Sequence, residues 1–354
     1  TMAFYKFRGI ASFLITLSSP GIISHSNLDL DEKQLKGVEG KFCCEKLNQS
    51  SKKSKQNTSP KIIVLGIAQD GGYPHTGSRT KNTLEVWKNF EEKRRFVAAI
   101  ALVDPNSETR WIFDATPDLK EQLHLLDTLS FLPAGTKEGQ PGLNGVFLTH
   151  AHEGHYTGLI QFSRPMMNTS GLPVYAMPKM AFLLSNNAPW NLLVNLGNIT
   201  LKPLRHRQPV KLTPELWVTP ILVPHRGELS ETIGFIIQGP NRSVLFIPDI
   251  DKWDQMEDVA GCTIEELIAQ VDYAFLDGTF FNADELPGRD MTTVPHPLVQ
   301  DSMERFSKLP AKERMKIHFI HLNHTNRLLW DSDLCLNILQ RGFCIAQQGQ
   351  QIQL

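Results

Sequence analysis

Six apolar runs in this chain stop at a histidine or an aspartate, and that repeated ending constrains the fold more than any other feature. Run 111–113 leads to Asp114, 146–148 to His150, 221–223 to His225, 244–247 to Asp249, 273–276 to Asp277 and 317–320 to His321. Short runs of Val, Ile, Leu and Phe bounded by polar residues read as buried strands. A single Asp or His after a strand is ordinarily a turn or cap. When several buried strands end along one sheet edge, however, their terminal side chains converge in a crevice, the usual ligand position in layered α/β architectures.

The densest of these endings is HAHEGH at 150–155, where His150, His152 and His155 stand two and three residues apart. Only 12 histidines occur in 354 residues, so three within six positions are not part of a histidine-rich tract. Neutral imidazoles delivered to one point by a strand end are the ligands that zinc, a borderline-soft dication, requires. Other strand candidates are 62–65, 96–103, 217–223 and 233–237, and helices fit 84–94, 118–128, 176–185, 263–270 and 299–308. The segment AQDGGYP at 68–74 reads as an irregular loop, with Gly71 and Gly72 permitting unusual backbone angles. Neither the dinucleotide fingerprint nor the phosphate loop fits it, so nucleotide binding has no support there.

Composition excludes some classes. Lys and Arg number 36 against 37 Asp and Glu, which does not announce the phosphate-neutralising surface of a nucleic-acid binder, and none is expected as a partner. Lys6 and Arg8 precede an apolar stretch at 10–17 and then small residues at 18–21, the order of a secretory signal peptide over 1–25. That stretch is too short to span a membrane, so no transmembrane segment is expected. A real signal would make the protein periplasmic or secreted, and otherwise it would be cytoplasmic. Residues 26–60 are rich in Lys, Ser, Gln and Asn and read as a linker with no need to pack, leaving 61–354 as the folded domain. The five cysteines form no CxxC pair, and Cys43 and Cys44 fall in the linker.

Taken in order, HAHEGH with the following TGL, the FDATPD segment around Asp114, and then His225, Asp249 and His321 resemble the motif series of the metallo-β-lactamase superfamily over about 61–346. GIAQDGGYP (66–74), VPHRGELSETIGF (223–235), FIPDIDKW (246–253), FLDGTFF (275–281) and FIHLNHTN (319–326) are similar to the protein B branch of pyrroloquinoline quinone (PQQ) biosynthesis. The resemblance implies an αββα sandwich, an α/β fold of two mixed β-sheets flanked by helices, with a metal centre at one edge. It implies that His150, His152 and His225 bind a first metal and that His155 and His321 serve a second, with Asp249 bridging. Asp114 would stand behind the histidines and fix an imidazole tautomer. Asp277 and His296 match positions typical of the branch without a definite role.

The superfamily pattern is HxHxDH, and this chain has Gly154 at the aspartate position. The second site is therefore expected to be weakened or reorganised, with the neighbouring Glu153 displaced by one residue from the missing ligand. Pro74 to Lys81 contains no cysteine, so the structural zinc of many relatives is not expected. His324 follows the last strand and is a candidate for the pocket. Tyr73 and His75 are candidates for its rim, whereas alternation sends His318 away from His321.

Three imidazoles around a dication with an open position leave three readings. The first is a metal-dependent hydrolase carrying one or two zinc ions. It would act on a small ester, lactone, amide or phosphoester, with Asp249, His321 and His324 as the catalytic candidates. The second is an iron-dependent oxygenase or oxidase acting on a tyrosine-derived or peptide-derived substrate, since such ligands also suit iron. The third is a non-catalytic metal-binding protein.

Overall fold

The computed structural model describes residues 59–290 and 293–354. The signal peptide and nearly all of the linker expected from the sequence, with Cys43 and Cys44, lie outside the described residues. Among the described residues, fourteen strands form two sheets of seven. The first sheet takes β1 (Lys61–Gly66), β2 (Ala99–Asp104), β3 (Thr109–Phe113), β4 (Gly145–Phe147), β5 (Leu172–Ala176) and β6 (Ile199–Pro203) in chain order, with β14 (Gln351–Gln353) closing it beside β1. The second takes β7 (Val210–Lys211), β8 (Trp217–Leu222), β9 (Ile233–Gln238), β10 (Ser243–Ile247), β11 (Tyr273–Asp277), β12 (Ile317–Ile320) and β13 (Cys344–Ile345), again in chain order.

Both sheets are mixed and share one plan. Each begins with antiparallel meander pairs and continues in parallel, from β3 to β6 in the first sheet and from β10 to β13 in the second. Parallel neighbours need crossovers, and helices such as Leu119–Leu129, Pro178–Asn186, Ile264–Ala269 and Val299–Phe306 supply them. Parallel strands whose carboxyl ends lie together put whatever follows them at one edge. The carboxyl ends of β3, β4, β10, β11 and β12 carry Asp114, His150, Asp249, Asp277 and His321 there.

Strand alternation explains why the central strands read as unbroken apolar runs. In β1 and β2, Ile62, Val64, Ile100 and Leu102 join a core shared with the second sheet. Ile63, Leu65, Ala99, Ala101 and Val103 instead pack with Leu119, Leu126, Phe162 and Leu184 from the helical layer. Between the sheets, Phe113 stacks on Phe147 with centroids 4.9 Å apart, and Phe235 of the second sheet meets both edge-on. The layer order is therefore helix, sheet, sheet, helix.

Several elements differ from the sequence expectation. The helix expected at 84–94 is two pieces, Lys81–Lys88 and Phe90–Lys93, broken at Asn89. The strand expected at 96–103 starts at Ala99, because Val97 bridges to Ala68 of the glycine loop. Strands β5, β6, β13 and β14 and the helix Ser332–Gln340 were not expected. No helix among the described residues is long and apolar enough to cross a membrane.

Candidate metal centre

Two groups of metal-binding atoms form at the shared edge. His150, His152, His225 and Asp249 bring ligand atoms within 4.8 Å of one another, and Asp70, His155 and His321 do the same. In the first group His150 Nε2 lies 2.8 Å from His152 Nδ1, and His225 Nε2 lies 3.2 Å from that same Nδ1. In the second, His155 Nε2 lies 3.3 Å from His321 Nε2 and 3.3 Å from Asp70 Oδ1. Asp249 joins the two: its Oδ2 lies 3.3 Å from His150 Nε2, 3.4 Å from His155 Nε2 and 3.7 Å from His321 Nε2.

The outer nitrogens fix the direction of the inner ones. His155 Nδ1 donates to Asp114 Oδ2 at 2.8 Å. His225 Nδ1 donates to Asp251 Oδ1 at 2.7 Å. Thr149 Oγ1 donates to Asp114 and accepts from His150 Nδ1 at 2.9 Å. Thr279 Oγ1 likewise donates to Asp277 Oδ1 and accepts from His321 Nδ1 at 2.9 Å. A proton held on Nδ1 by these acceptors in all four rings leaves Nε2 as the nitrogen that would ligate a metal at the centre. His150 Nε2 and His225 Nε2 each lie within 3.2 Å of His152 Nδ1, a nitrogen-rich donor set that suits a cation.

Asp114 thus stands where the sequence placed it, and Asp277 repeats its role in the other sheet. Each is fully buried, lies at the end of a strand and acts on a histidine through a threonine hydroxyl. Asp114 and His321 both have left-handed backbones, with φ of 70° and 65°. Few non-glycine residues accept that conformation, and where they do it often marks a functional constraint.

Charge is balanced inside this cluster. Burial opposes the Asp249 carboxylate, but His321, His225, His296 and His150 outweigh it and hold its pKa well below the usual range. Burial also opposes ionisation of Asp70, and His155 and His321 again prevail, lowering its pKa. Desolvation, reinforced by His155, pushes His150 well below the ordinary histidine value, and desolvation lowers His152 too. At His155 burial disfavours the cation, yet Asp114, Asp249 and Asp70 raise its pKa well above normal. Anionic Asp249 and Asp70 beside His150 and His152, whose burial disfavours the protonated form, are a donor set that suits a dication.

Among the described residues, the buried carboxylate oxygens without a hydrogen-bond partner include Asp70 Oδ1 and Asp249 Oδ1, whose neighbours are histidine ring nitrogens at 3.2–3.5 Å. Buried polar atoms are seldom left unpaired, so these two orphans at the centre of a nitrogen-rich cluster fit metal ligands. His296 donates from Nδ1 to Asp277 Oδ2 at 2.8 Å, with Asp249 Oδ1 at 3.2 Å. Burial works against its charge, but Asp277 and Asp249 raise its pKa to about 9. A further grouping of Asp249, His296 and His321 shares two of its three members with the groups above.

A model of the beta-lactamase superfamily domain matches residues 109–319, more than half of the chain. The chain belongs to the metallo-β-lactamase superfamily. Within it, the chain is similar to coenzyme PQQ synthesis protein B. It is 26% identical over 285 residues to that protein of Xanthomonas axonopodis pv. citri, covering 76% of this chain and 91% of the relative. Its counterpart in Gluconobacter oxydans is 26% identical over 314 residues, 83% of this chain and 98% of the relative. The crystal structure of Zn(2+)-bound PqqB from Methylobacterium extorquens superposes with a TM-score of 0.68 at 21% identity, covering 83% of this chain and all of that one. A diphosphatase of the PhnP family superposes at 0.58 with 19% identity, over 83% of this chain and 97% of that one. The superfamily fold is thus the αββα sandwich expected from the motif series.

Other candidates from the sequence take different places. Tyr73 is 3% exposed, packed with Ala68 and Val86 and stacked on Trp330, so it belongs to a small core and not to a pocket rim. His324 stacks on His75 at 4.2 Å and engages Asn323 through Nδ1, outside the converging groups. His318 is buried against Tyr273 and Phe275 on the side of β12 away from His321. Glu153 is exposed at the start of the short helix Glu153–Tyr156 and does not take the place of the missing aspartate.

Three kinds of residue escaped the sequence reading. Thr149 and Thr279 are one or two positions from named residues, and Asp251 follows Asp249 by two, within the quoted FIPDIDKW. Asp70 lies in the glycine loop after β1, where the rule of strands ending in Asp or His, extended by a few residues, would have flagged it.

Proposed function

We propose that this protein is a binuclear metal-dependent hydrolase using zinc, with His150, His152, His225 and Asp249 at one ion and His155, His321 and Asp249 at the other. The observation that supports it most is the position of Asp249 Oδ2, within 3.7 Å of ligand nitrogens from both groups. A carboxylate so placed can bridge two ions, the arrangement by which two-metal hydrolases hold both sides of a displacement.

Zinc held there would supply Lewis acidity, lowering the pKa of bound water to about 7 and polarising a carbonyl or phosphoryl oxygen. The chain's own residues do the rest. Asp114, Asp251, Thr149 and Thr279 hold four imidazoles in the ligating tautomer, so the site needs little reorganisation when charge develops. His296 keeps a proton on Nδ1 beside Asp249. His324, the remaining catalytic candidate, stacks on His75 outside the two groups, and burial and His75 lower its pKa.

The substrate class in this reading is a small ester, lactone, amide or phosphoester. The test is hydrolysis of a panel of such compounds, including tyrosine-derived and peptide-derived members, because the curated relatives are named for coenzyme PQQ synthesis. The zinc-loaded protein should turn over at least one class, with loss of turnover on chelation and in Asp249→Ala. Turnover that survives both treatments refutes the reading.

A further inference from the structure

Gly154 leaves the superfamily motif without its aspartate, yet the space beside it is occupied. A Cβ built on Gly154 would stand 2.1 Å from Asp70 Oδ1, 2.6 Å from Asp70 Cα and 2.7 Å from Asp70 Cγ. No real Cβ comes so close to other atoms, so a side chain at 154 and the present position of Asp70 exclude each other. The carboxylate of Asp70 thus fills the space a residue-154 side chain would enter. Its Oδ1 faces His155 Nε2 at 3.3 Å and His321 Nε2 at 3.5 Å.

We propose that Asp70 is the relocated carboxylate ligand of the second metal, and that Gly154 is glycine because Asp70 needs its space. This rests on the binuclear reading above and names the residue that completes it. The loop carrying Asp70 is tied to the strand end carrying His321. Leu322 N donates to Ile67 O at 2.7 Å, Gln69 N donates to Leu322 O at 2.9 Å, and Gly72 N closes on Gln69 O at 2.7 Å. Backbone hydrogen bonds therefore fix Asp70 relative to His321 independently of any ion. A ligand on a pinned loop can replace one on a helix, because a metal senses only where the oxygen is and how well it is held.

The test compares wild type with Asp70→Asn, Gly154→Asp and the double variant Asp70→Gly/Gly154→Asp. Zinc per chain is measured by elemental mass spectrometry, and zinc affinity by competition with a chelator of known strength. Wild type should hold two ions. Asp70→Asn keeps the shape and removes the charge, and should weaken the second ion at least about tenfold while sparing the first. Gly154→Asp should do the same by displacing Asp70, and the double variant should regain the second ion. Thermal melting of each metal-free variant separates misfolding from ligand loss. Wild type with two ions and Asp70→Asn with two at unchanged affinity would overturn the Asp70 assignment and leave the binuclear reading standing. A folded double variant that stays at one ion refutes the exchange of positions. Wild type with one ion refutes the binuclear reading itself and the Asp70 assignment with it.

Discussion

Replacing one hydroxyl should loosen one metal and not the other. Thr279 is fully buried, and its Oγ1 donates to Asp277 Oδ1 at 2.7 Å while lying 2.9 Å from His321 Nδ1 and 3.1 Å from His296 Nδ1. Thr279→Val keeps the shape and removes the hydroxyl that joins Asp277 to His321. The His321 Nδ1–H is then buried without an acceptor, at a cost of about 1–3 kcal/mol, and the ring can lower that cost by moving its proton to Nε2. Nε2 is the atom facing Asp70 and Asp249, so the rearrangement opposes ligation. Loss of such outer support typically weakens metal binding roughly 10–100-fold, or about 1.4–2.7 kcal/mol. Thr149→Val makes the same cut behind His150 and should weaken the first ion instead. Chelator competition resolving two zinc affinities reads both variants. Equal affinities for both ions in wild type and Thr279→Val would refute the claim that the hydroxyl sets the His321 tautomer.

Other outcomes follow from the same geometry. Asp251→Asn, altering the partner of His225 Nδ1 at 2.7 Å, should lower first-site affinity within the same 10–100-fold range, checked by the same competition. The metal-free protein should lose stability as pH rises from about 6.5 through about 9. His296 has its folded pKa raised to about 9, so its stabilisation is complete below its unfolded value and fades as the proton leaves. Thermal melts after chelation would show this, and a midpoint that climbs over that range would contradict it. Phe235→Ala, removing the ring that meets Phe113 and Phe147 between the sheets, should cost about 3–5 kcal/mol in urea unfolding. A loss below about 1 kcal/mol would mean that this contact does not join the sheets.

How far the sequence could be read depended on where the information lay. Strands β10, β11 and β12 were legible because both of their faces are buried, which writes them as largely apolar runs, broken in β12 only by His318, leading to Asp249, Asp277 and His321. Strands β5 and β6 were not: LPVYA and ITLKP contain proline, and β6 exposes most of its residues. Two-residue β13 and three-residue β14 are held by their neighbours more than by any pattern of their own. The histidines were legible because HAHEGH concentrates them in one segment, and Asp114 because it ends a strand. Asp70 is 84 residues from Gly154 in the chain, and its closeness is a property of the folded sheet edge. The gap at Gly154 raised the expectation of a reorganised second site but could not point to Asp70, whose carboxylate fills the space beside it. Glu153 was the nearest acid in sequence, yet the turn into its helix points it to solvent.

The most direct test of the two-metal account is X-ray absorption on protein loaded with zinc to saturation. If Asp249 bridges two ions, the zinc spectrum should contain nitrogen and oxygen neighbours at about 2.0–2.2 Å and a zinc–zinc vector at roughly 3.5–4 Å. Saturation at one zinc per chain, or two zinc ions with no zinc–zinc scattering, would contradict it.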